Sequence, residues 1–337
     1  MSAAVITVPV AVLDRANQRV GEDATDTLHR VVSRAERLES LGLPRIWVAE
    51  HHAVPGIAGS APAVLMAAVA SATSRIRVGA GGFMVPSRPP LVTAEHISTL
   101  EAMHPGRIDV GLGNSLGFTA AVRRALRQEI DDRGDFERDV REVRDYLAGT
   151  ASITMQPRAV GSTPLFVLTG GGRAPFAAEQ GMGLVLGGPA GATDAMAQAA
   201  AAYRHGFRPS AAHSVPYVIL SVQVAVAGSE SAARALALPE IWSLVMSRST
   251  GVFDPLRSAS ALDENALSDR ERSRIERGLT GVVYGTRDHV ARRLQSLVER
   301  TGVDELMVTN AMWDLDGRAE TDAALAAMTR AGDERRR

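Results

Sequence analysis

Three features of the sequence predict an α/β protein folded as a (β/α)₈ TIM barrel. Short apolar runs alternate with longer amphipathic stretches, the pattern of βα units on a parallel sheet. Such runs number close to eight. At 337 residues the chain has room for one barrel, since α/β barrels reach about 250 residues or more as a single domain. An open doubly wound sheet is the rival that alternation alone does not remove.

Taken in order, the first strand is expected at Val5–Val12 and its helix at Ala24–Leu41. Arg45–Val48 follows, running straight into Glu50, His51 and His52, with a helix at Ser60–Thr73. Ile76–Gly81 continues into successive glycines and Pro86 before a helix at Pro89–Met103. Arg107–Gly111 leads through Gly-x-Gly into a long helical stretch, Thr119–Gly149. Pro164–Leu168 delivers three glycines onto Ala174–Gly181; Gly183–Leu186 precedes Ala190–Arg204, and Tyr217–Ala227 precedes Ser229–Leu238. After Arg287–Thr301 come the strand Glu305–Thr309 and a closing helix, Ala319–Arg330. The whole chain, 1–337, is read as one domain with an insertion at approximately 239–277 that fits no simple repeat. Its aromatic residues favour a lid on the catalytic rim.

Composition excludes several chemistries. Lys and Arg total 37 against 38 acidic residues, and only 14 residues are aromatic, so the chain lacks the basic footprint and stacking platforms of a nucleic-acid binder. It has no apolar run near the roughly 20 residues of a membrane span and no positively charged leader, which predicts a cytoplasmic protein without membrane contact. Zero cysteines remove thiol nucleophiles and thiolate metal sites. All basic residues are Arg, which removes Schiff-base chemistry.

Trp47-Val-Ala-Glu-His-His52 ends an apolar strand in a carboxylate and two imidazoles, where barrel enzymes carry catalytic side chains. Adjacent histidines on a strand point to opposite sides, so one faces the centre and a metal pair is not expected. Ala80, Gly81 and Gly82 end the next strand, where glycine either admits a flat ligand or forms a plain turn. Gly111-Leu-Gly-Asn114 continues to Gly117, missing the dinucleotide spacing by one residue. Thr169, Gly170, Gly171, Gly172 and Arg173 resemble an anion site at a helix start, the alternative being a flexible loop with a solvated arginine. Met84, Phe118, Trp242, Met246 and Phe253 are candidates for an apolar pocket or for core.

Together these segments resemble the bacterial luciferase-like family of flavin-dependent monooxygenases. Besides Trp47–His52, the markers are Ser60-Ala-Pro62, Thr73–Gly79, Ala94-Glu95 through His104-Pro-Gly-Arg-Ile-Asp109, Phe207–Ser210 with Pro216-Tyr217, Gly285-Thr286 and Asp304-Glu305. The resemblance covers nearly the whole chain and looks most like the subgroup assigned to reduced FMN rather than to the deazaflavin F420. It implies a two-component reaction in which reduced FMN arrives from a separate flavin reductase and reacts with O₂ through a C4a-(hydro)peroxyflavin, oxygenating a small organic substrate. A biosynthetic hydroxylase or Baeyer–Villiger-type oxygenase is favoured over a light emitter. Hydride transfer with F420 and a non-catalytic flavin-binding paralogue are the alternatives. His51 takes the catalytic histidine position, with Glu50 and His52 alongside, and Ala80, Gly81 and Gly82 take the strand-end backbone under the isoalloxazine ring, where relatives carry a non-proline cis peptide.

The phosphate site departs from the family. Relatives usually have an arginine at the place of Asn114, and a neutral amide replaces a charge-assisted contact there. A second family arginine aligns approximately with Arg138, and the later phosphate loop with Gly170, Gly171, Gly172 and Arg173, so Arg173 is expected to supply the charge missing at Asn114. Relatives often dimerise through the region of the small-residue helix Ala61–Thr73, and a homodimer is expected.

Overall fold

The computed structural model describes residues 5–128, 135–158, 162–188 and 194–334. Nine parallel strands form one sheet that closes on itself: β1 (Val10–Asp14), β2 (Arg45–Val48), β3 (Arg77–Met84), β4 (Ile108–Gly113), β5 (Leu165–Thr169), β6 (Gly183–Leu186), β7 (Val218–Val226), β8 (Val282–Gly285) and β9 (Glu305–Thr309). Eight of them close the ring, β1 pairing with both β2 and β9 and β7 with both β6 and β9. The ninth, β8, pairs with the upper half of β7, from Gln223 to Val226. The protein is a (β/α)₈ barrel, and the open-sheet rival fails because β6 and β7 join two edges that an open sheet would leave apart.

Helices return the chain outside the ring: α1 (Ala24–Ser40), α2 (Pro62–Ala72), α3 (Pro90–Met103), α4 (Ala120–Ala125), α5 (Phe136–Ala148), α6 (Ala174–Glu179), α7 (Asp194–Gly206), α8 (Glu230–Thr250), α9 (Asp269–Leu279), α10 (Arg287–Thr301) and α11 (Leu315–Glu334). Among the described residues no helix is long and apolar enough to cross a membrane.

The boundaries that differ most from expectation have physical reasons. The first strand begins at Val10 because Pro9 has no N–H for the ladder; its carbonyl instead accepts Leu306 N at 3.0 Å. Thr119–Gly149 is two helices: Leu126 caps α4 and Arg127 takes a left-handed φ of 56°. The helix expected to end at Leu238 continues to Thr250, through Pro239 in its interior. Residues 239–250 of the expected insertion are therefore helix, and the true excursion runs from Gly251 through α9 to β8, a four-residue strand that periodicity missed. Residues 190–193, the start of the helix expected at Ala190–Arg204, lie outside the described residues.

The barrel interior is filled by Ala11, Trp47, Phe166, Val185, Ile219 and Met307. Trp47 and Phe166 meet edge to face at 5.2 Å between centroids. Any Cβ on Gly79 would overlap Trp47, and one on Gly183 would overlap Phe166, so each ring occupies space that a facing glycine leaves. Below them, at the N-terminal end of the strands, a buried cluster closes the barrel: Arg45 and Arg77 pair with Asp109, Arg45 also with Glu305, and Tyr217 donates to Glu305 at 2.5 Å. The functional end is therefore the opposite rim, where the strands finish.

Candidate active site

The rim carries a cavity of about 590 Å³ that gathers the ends of β2, β3, β4 and β5. Of the residues singled out from the sequence, Glu50, His51, His52, Gly81, Gly82, Asn114, Thr169, Gly170 and Arg173 line it. Ala80 is fully buried one residue back in β3, and Gly171 and Gly172 flank the cavity without lining it. Arg138 does not come to it: on the solvent face of α5 its guanidinium pairs with Asp135 at 2.8 Å and Asp139 at 3.0 Å. Met84 and Phe118 line the cavity, whereas Trp242, Met246 and Phe253 pack in separate clusters elsewhere.

Glu50 is buried and four donors converge on it. Its Oε1 accepts from His52 Nε2 at 2.7 Å, Ser87 Oγ at 3.0 Å and the Arg88 guanidinium, and its Oε2 accepts the Met84 amide at 2.9 Å. The carboxylate thus ties the end of β2 to the turn after β3 and holds His52 against it. These contacts fix Glu50 and His52 in place at the cavity wall. Ser87 and Arg88 were not legible as site residues, since nothing in Pro86-Ser-Arg-Pro-Pro90 marks an arginine that reaches back over 38 residues.

His51 is different. Its amide donates to Gly59 O at 2.8 Å, and its side-chain Nδ1 is buried without a hydrogen-bond partner. Burial first, then the nearby charges of Arg15 and His52, push its pKa down to about 4. The imidazole is neutral at pH 7, free to accept or donate one proton's hydrogen bond. Arg15, just after β1, is a third residue that sequence reading missed; its ion pair with buried Glu240 fastens β1 to α8, and Glu240 also accepts the Ala311 amide at 3.1 Å.

Across the cavity, the loop after β5 is organised by Thr169, whose hydroxyl accepts the amides of Gly171 at 3.1 Å and Arg173 at 3.3 Å. Those two N–H groups are consequently committed, and α6, only six residues long with Pro175 near its start, offers little dipole. The polarity left to an anion is the Arg173 guanidinium, which stacks 4.7 Å over Phe136 and keeps a buried, unpartnered Nε. Asn114 likewise has a buried Oδ1 without a partner.

The strand-end glycines are tightly packed by protein. A Cβ on Gly82 would lie 2.6 Å from Gly111 O and one on Gly81 2.7 Å from Leu13 Cδ1. Backbone packing therefore requires glycine at Gly82, whereas at Gly81 the crowding comes from the side chains of Leu13 and Trp47. The Gly81–Gly82 peptide bond is cis, at the place where the resemblance implied one. Among the described residues no cluster of three or more His, Asp or Glu is placed to hold a metal ion.

The excursion after α8 reaches this side of the rim. Phe253 O accepts the Gly56 amide at 2.8 Å, and Leu256 exchanges backbone hydrogen bonds with Gln18 and Val20, at 2.8 and 2.9 Å. Phe253 packs with Val54, Leu256 and Ala311.

A family model described as luciferase-like monooxygenase matches residues 8–305. A protein of Escherichia coli strain K12 named luciferase-like monooxygenase is 30% identical over 319 residues, covering 93% of this chain and 94% of its own. The crystal structure of apo-MsnO8 superposes with a TM-score of 0.83 at 29% identity, covering 95% of this chain and 97% of that one. More distant structures share the fold alone. The FMN complex of the oxygenating constituent of 3,6-diketocamphane monooxygenase of Pseudomonas putida has a TM-score of 0.67 at 16% identity, covering 96% and 98% of the two chains. An F420-dependent secondary alcohol dehydrogenase has a TM-score of 0.70 at 15% identity, covering 97% and 99%.

Proposed function

The chain belongs to the luciferase-like monooxygenase family, and from that premise we propose that it binds reduced FMN, delivered by a separate flavin reductase, and uses O₂ to oxygenate a small organic substrate. The observation that carries this reading is the set of polar atoms buried and unpartnered at the cavity of His51: His51 Nδ1, Asn114 Oδ1 and Arg173 Nε. Burying polar atoms without partners is unfavourable by about 1–3 kcal/mol each, so three around one cavity fit a polar ligand there. FMN offers complementary groups: a phosphate for Arg173 and a flat polar ring for the wall of Gly81, Gly82 and Met84.

Bound reduced FMN supplies the electrons and activates O₂. The protein's own part follows from its geometry. Arg173 holds the anionic end, its guanidinium replacing the charge that relatives place at Asn114, and Asn114 Oδ1 accepts from a hydroxyl or N–H of the cofactor. His51, neutral at working pH, exchanges a hydrogen bond or a proton with the reacting atoms. Glu50 keeps the turn after β3 and His52 in place, and the excursion around Phe253 shields this side of the rim from water.

The test is an anaerobic titration with reduced FMN and, separately, reduced F420, followed by admission of O₂. Saturable binding of FMN and rapid O₂ uptake are expected. Binding of F420 alone would assign hydride transfer instead, FMN binding without O₂ uptake would assign a non-catalytic flavin-binding paralogue, and binding of neither would make Asn114 the sign of an abandoned or remodelled flavin site.

We further infer a homodimer formed through α2, where Val64 is 71% exposed and Ala68 and Ser71 continue the same small-residue face. Size-exclusion chromatography with light scattering should give a dimer; a monomer at all micromolar concentrations overturns this.

A further inference from the structure

A second cavity, of about 630 Å³, opens beside the first on the same rim. A small hollow of about 170 Å³ over the barrel floor adjoins both, sharing Gly81, Leu168 and Thr169 with the first and Leu13, Gly188 and Ser221 with the second. The second half of α8 and, from the excursion, the last turns of α9 build much of the second cavity's wall.

That wall is of two kinds. Leu13, Ile241, Leu244 and Val245 make an apolar side. Arg15, Arg248, Arg274 and Arg277 bring guanidinium groups to it, and among the described residues no carboxylate other than those held elsewhere approaches them. Glu240 neutralises Arg15. Glu276 pairs with Arg234 on the outside of α9, at 2.5 Å. Glu271 is held by Ser268 as the N-terminal cap of α9, and Arg274 acts on it only at longer range. Arg277 reaches a neutral group, the Ser273 hydroxyl, at 3.3 Å.

Placement at helix ends explains part of this, because a cation in a last turn is favoured by the helix dipole. Arg248 and Arg277 are both in last turns. The dipole, however, is indifferent to which side of the helix the arginine takes. It explains neither why the two face one hollow nor why Arg274, a turn earlier, joins them.

We propose that this second cavity is the substrate site and that it selects an organic anion, its apolar body against Leu13, Ile241 and Val245 and its carboxylate, sulfonate or phosphate at Arg248, Arg274 and Arg277. That the anion is the substrate rests on the monooxygenase reading above; that the cavity binds an anion does not. Guanidinium bonds to such oxygens are charge-assisted, and one is sufficient for about tenfold preference over a neutral analogue.

The experiment is calorimetric titration of the full chain, without flavin, with octanoate, octanesulfonate and octyl phosphate, each against neutral octanamide. At least one anion should bind about tenfold more tightly than the amide. An R248Q/R274Q/R277Q variant should lose that preference while keeping octanamide binding and reduced-FMN binding. Equal binding of anion and amide by the unmodified chain, no binding of any probe, or a preference that survives in the variant overturns the proposal. Loss of reduced-FMN binding in the variant also overturns it, since the arginines would then serve the flavin. If the unmodified chain shows the arginine-dependent preference but binds no reduced FMN, the anion site stands and the monooxygenase reading falls.

Discussion

Removing the Glu50 carboxylate should loosen the rim without touching the barrel core. In Glu50→Ala the Met84 amide, the Ser87 hydroxyl, His52 Nε2 and the Arg88 guanidinium lose one common acceptor. A lost bond to a charged group is worth about 1.5–3 kcal/mol, but the four share one carboxylate and do not add. The controlling contribution is that of Arg88, left as a largely buried cation with 15% of its side chain exposed. Breaking such a pair by removing one partner destabilises by about 3–5 kcal/mol, a large share of the roughly 5–15 kcal/mol of a typical domain. Urea unfolding at pH 7 measures this directly. The double variant Glu50→Ala/Arg88→Met should be less destabilised than Glu50→Ala alone, because it leaves no orphaned charge. A Glu50→Ala protein within about 1 kcal/mol of the unmodified chain, or a double variant whose loss equals the sum of the two single losses, would refute the positioning role.

Three further outcomes are expected. Because the folded-state pKa of His51 is depressed to about 4 from an ordinary 6.5, the unfolded chain binds the extra proton between those values; stability contributed by the neutral ring is present above pH 6.5 and is lost as pH falls toward 4. Urea unfolding at pH 7 and pH 5 should show a smaller acid loss in His51→Gln than in the unmodified chain, and equal losses would contradict the shift. Glu305 has the opposite sign: burial pushes its carboxyl up to about 7, so its contribution weakens as pH rises from about 4.5 through 7, and Glu305→Gln should flatten that decline in the same assay. Arg173→Ala should weaken reduced-FMN binding about 10- to 100-fold, the worth of one charge-assisted contact, as read by anaerobic equilibrium dialysis with the fold checked by circular dichroism; unchanged affinity would remove Arg173 from the phosphate site.

Local pattern made much of the barrel legible. Arg45–Val48, Gly183–Leu186 and Glu305–Thr309 are buried apolar strands whose ends coincide with the change of hydrophobic period, and they lie where the pattern put them. Val282–Gly285 was missed because its place is set by pairing with the upper half of β7, more than fifty residues away, and not by its own short run. The helix expected to end at Leu238 runs on although the ring of Pro239 forbids one helical hydrogen bond, because packing of Leu238, Ile241 and Val245 on the α9 side sustains it.

The amino-acid sequence by itself determined the alternation that closes the barrel and the motif that puts Glu50, His51 and His52 on its rim, because both depend on residues near one another in the chain. Only the tertiary structure decided what those residues do. Arg88 and Ser87 claim Glu50, Arg15 acts on His51, Thr169 takes up the loop amides, and Arg138 turns to solvent. Each of these outcomes depends on which charges and donors the fold brings within a few ångströms, and desolvation and hydrogen bonding act through that distance rather than through separation along the chain.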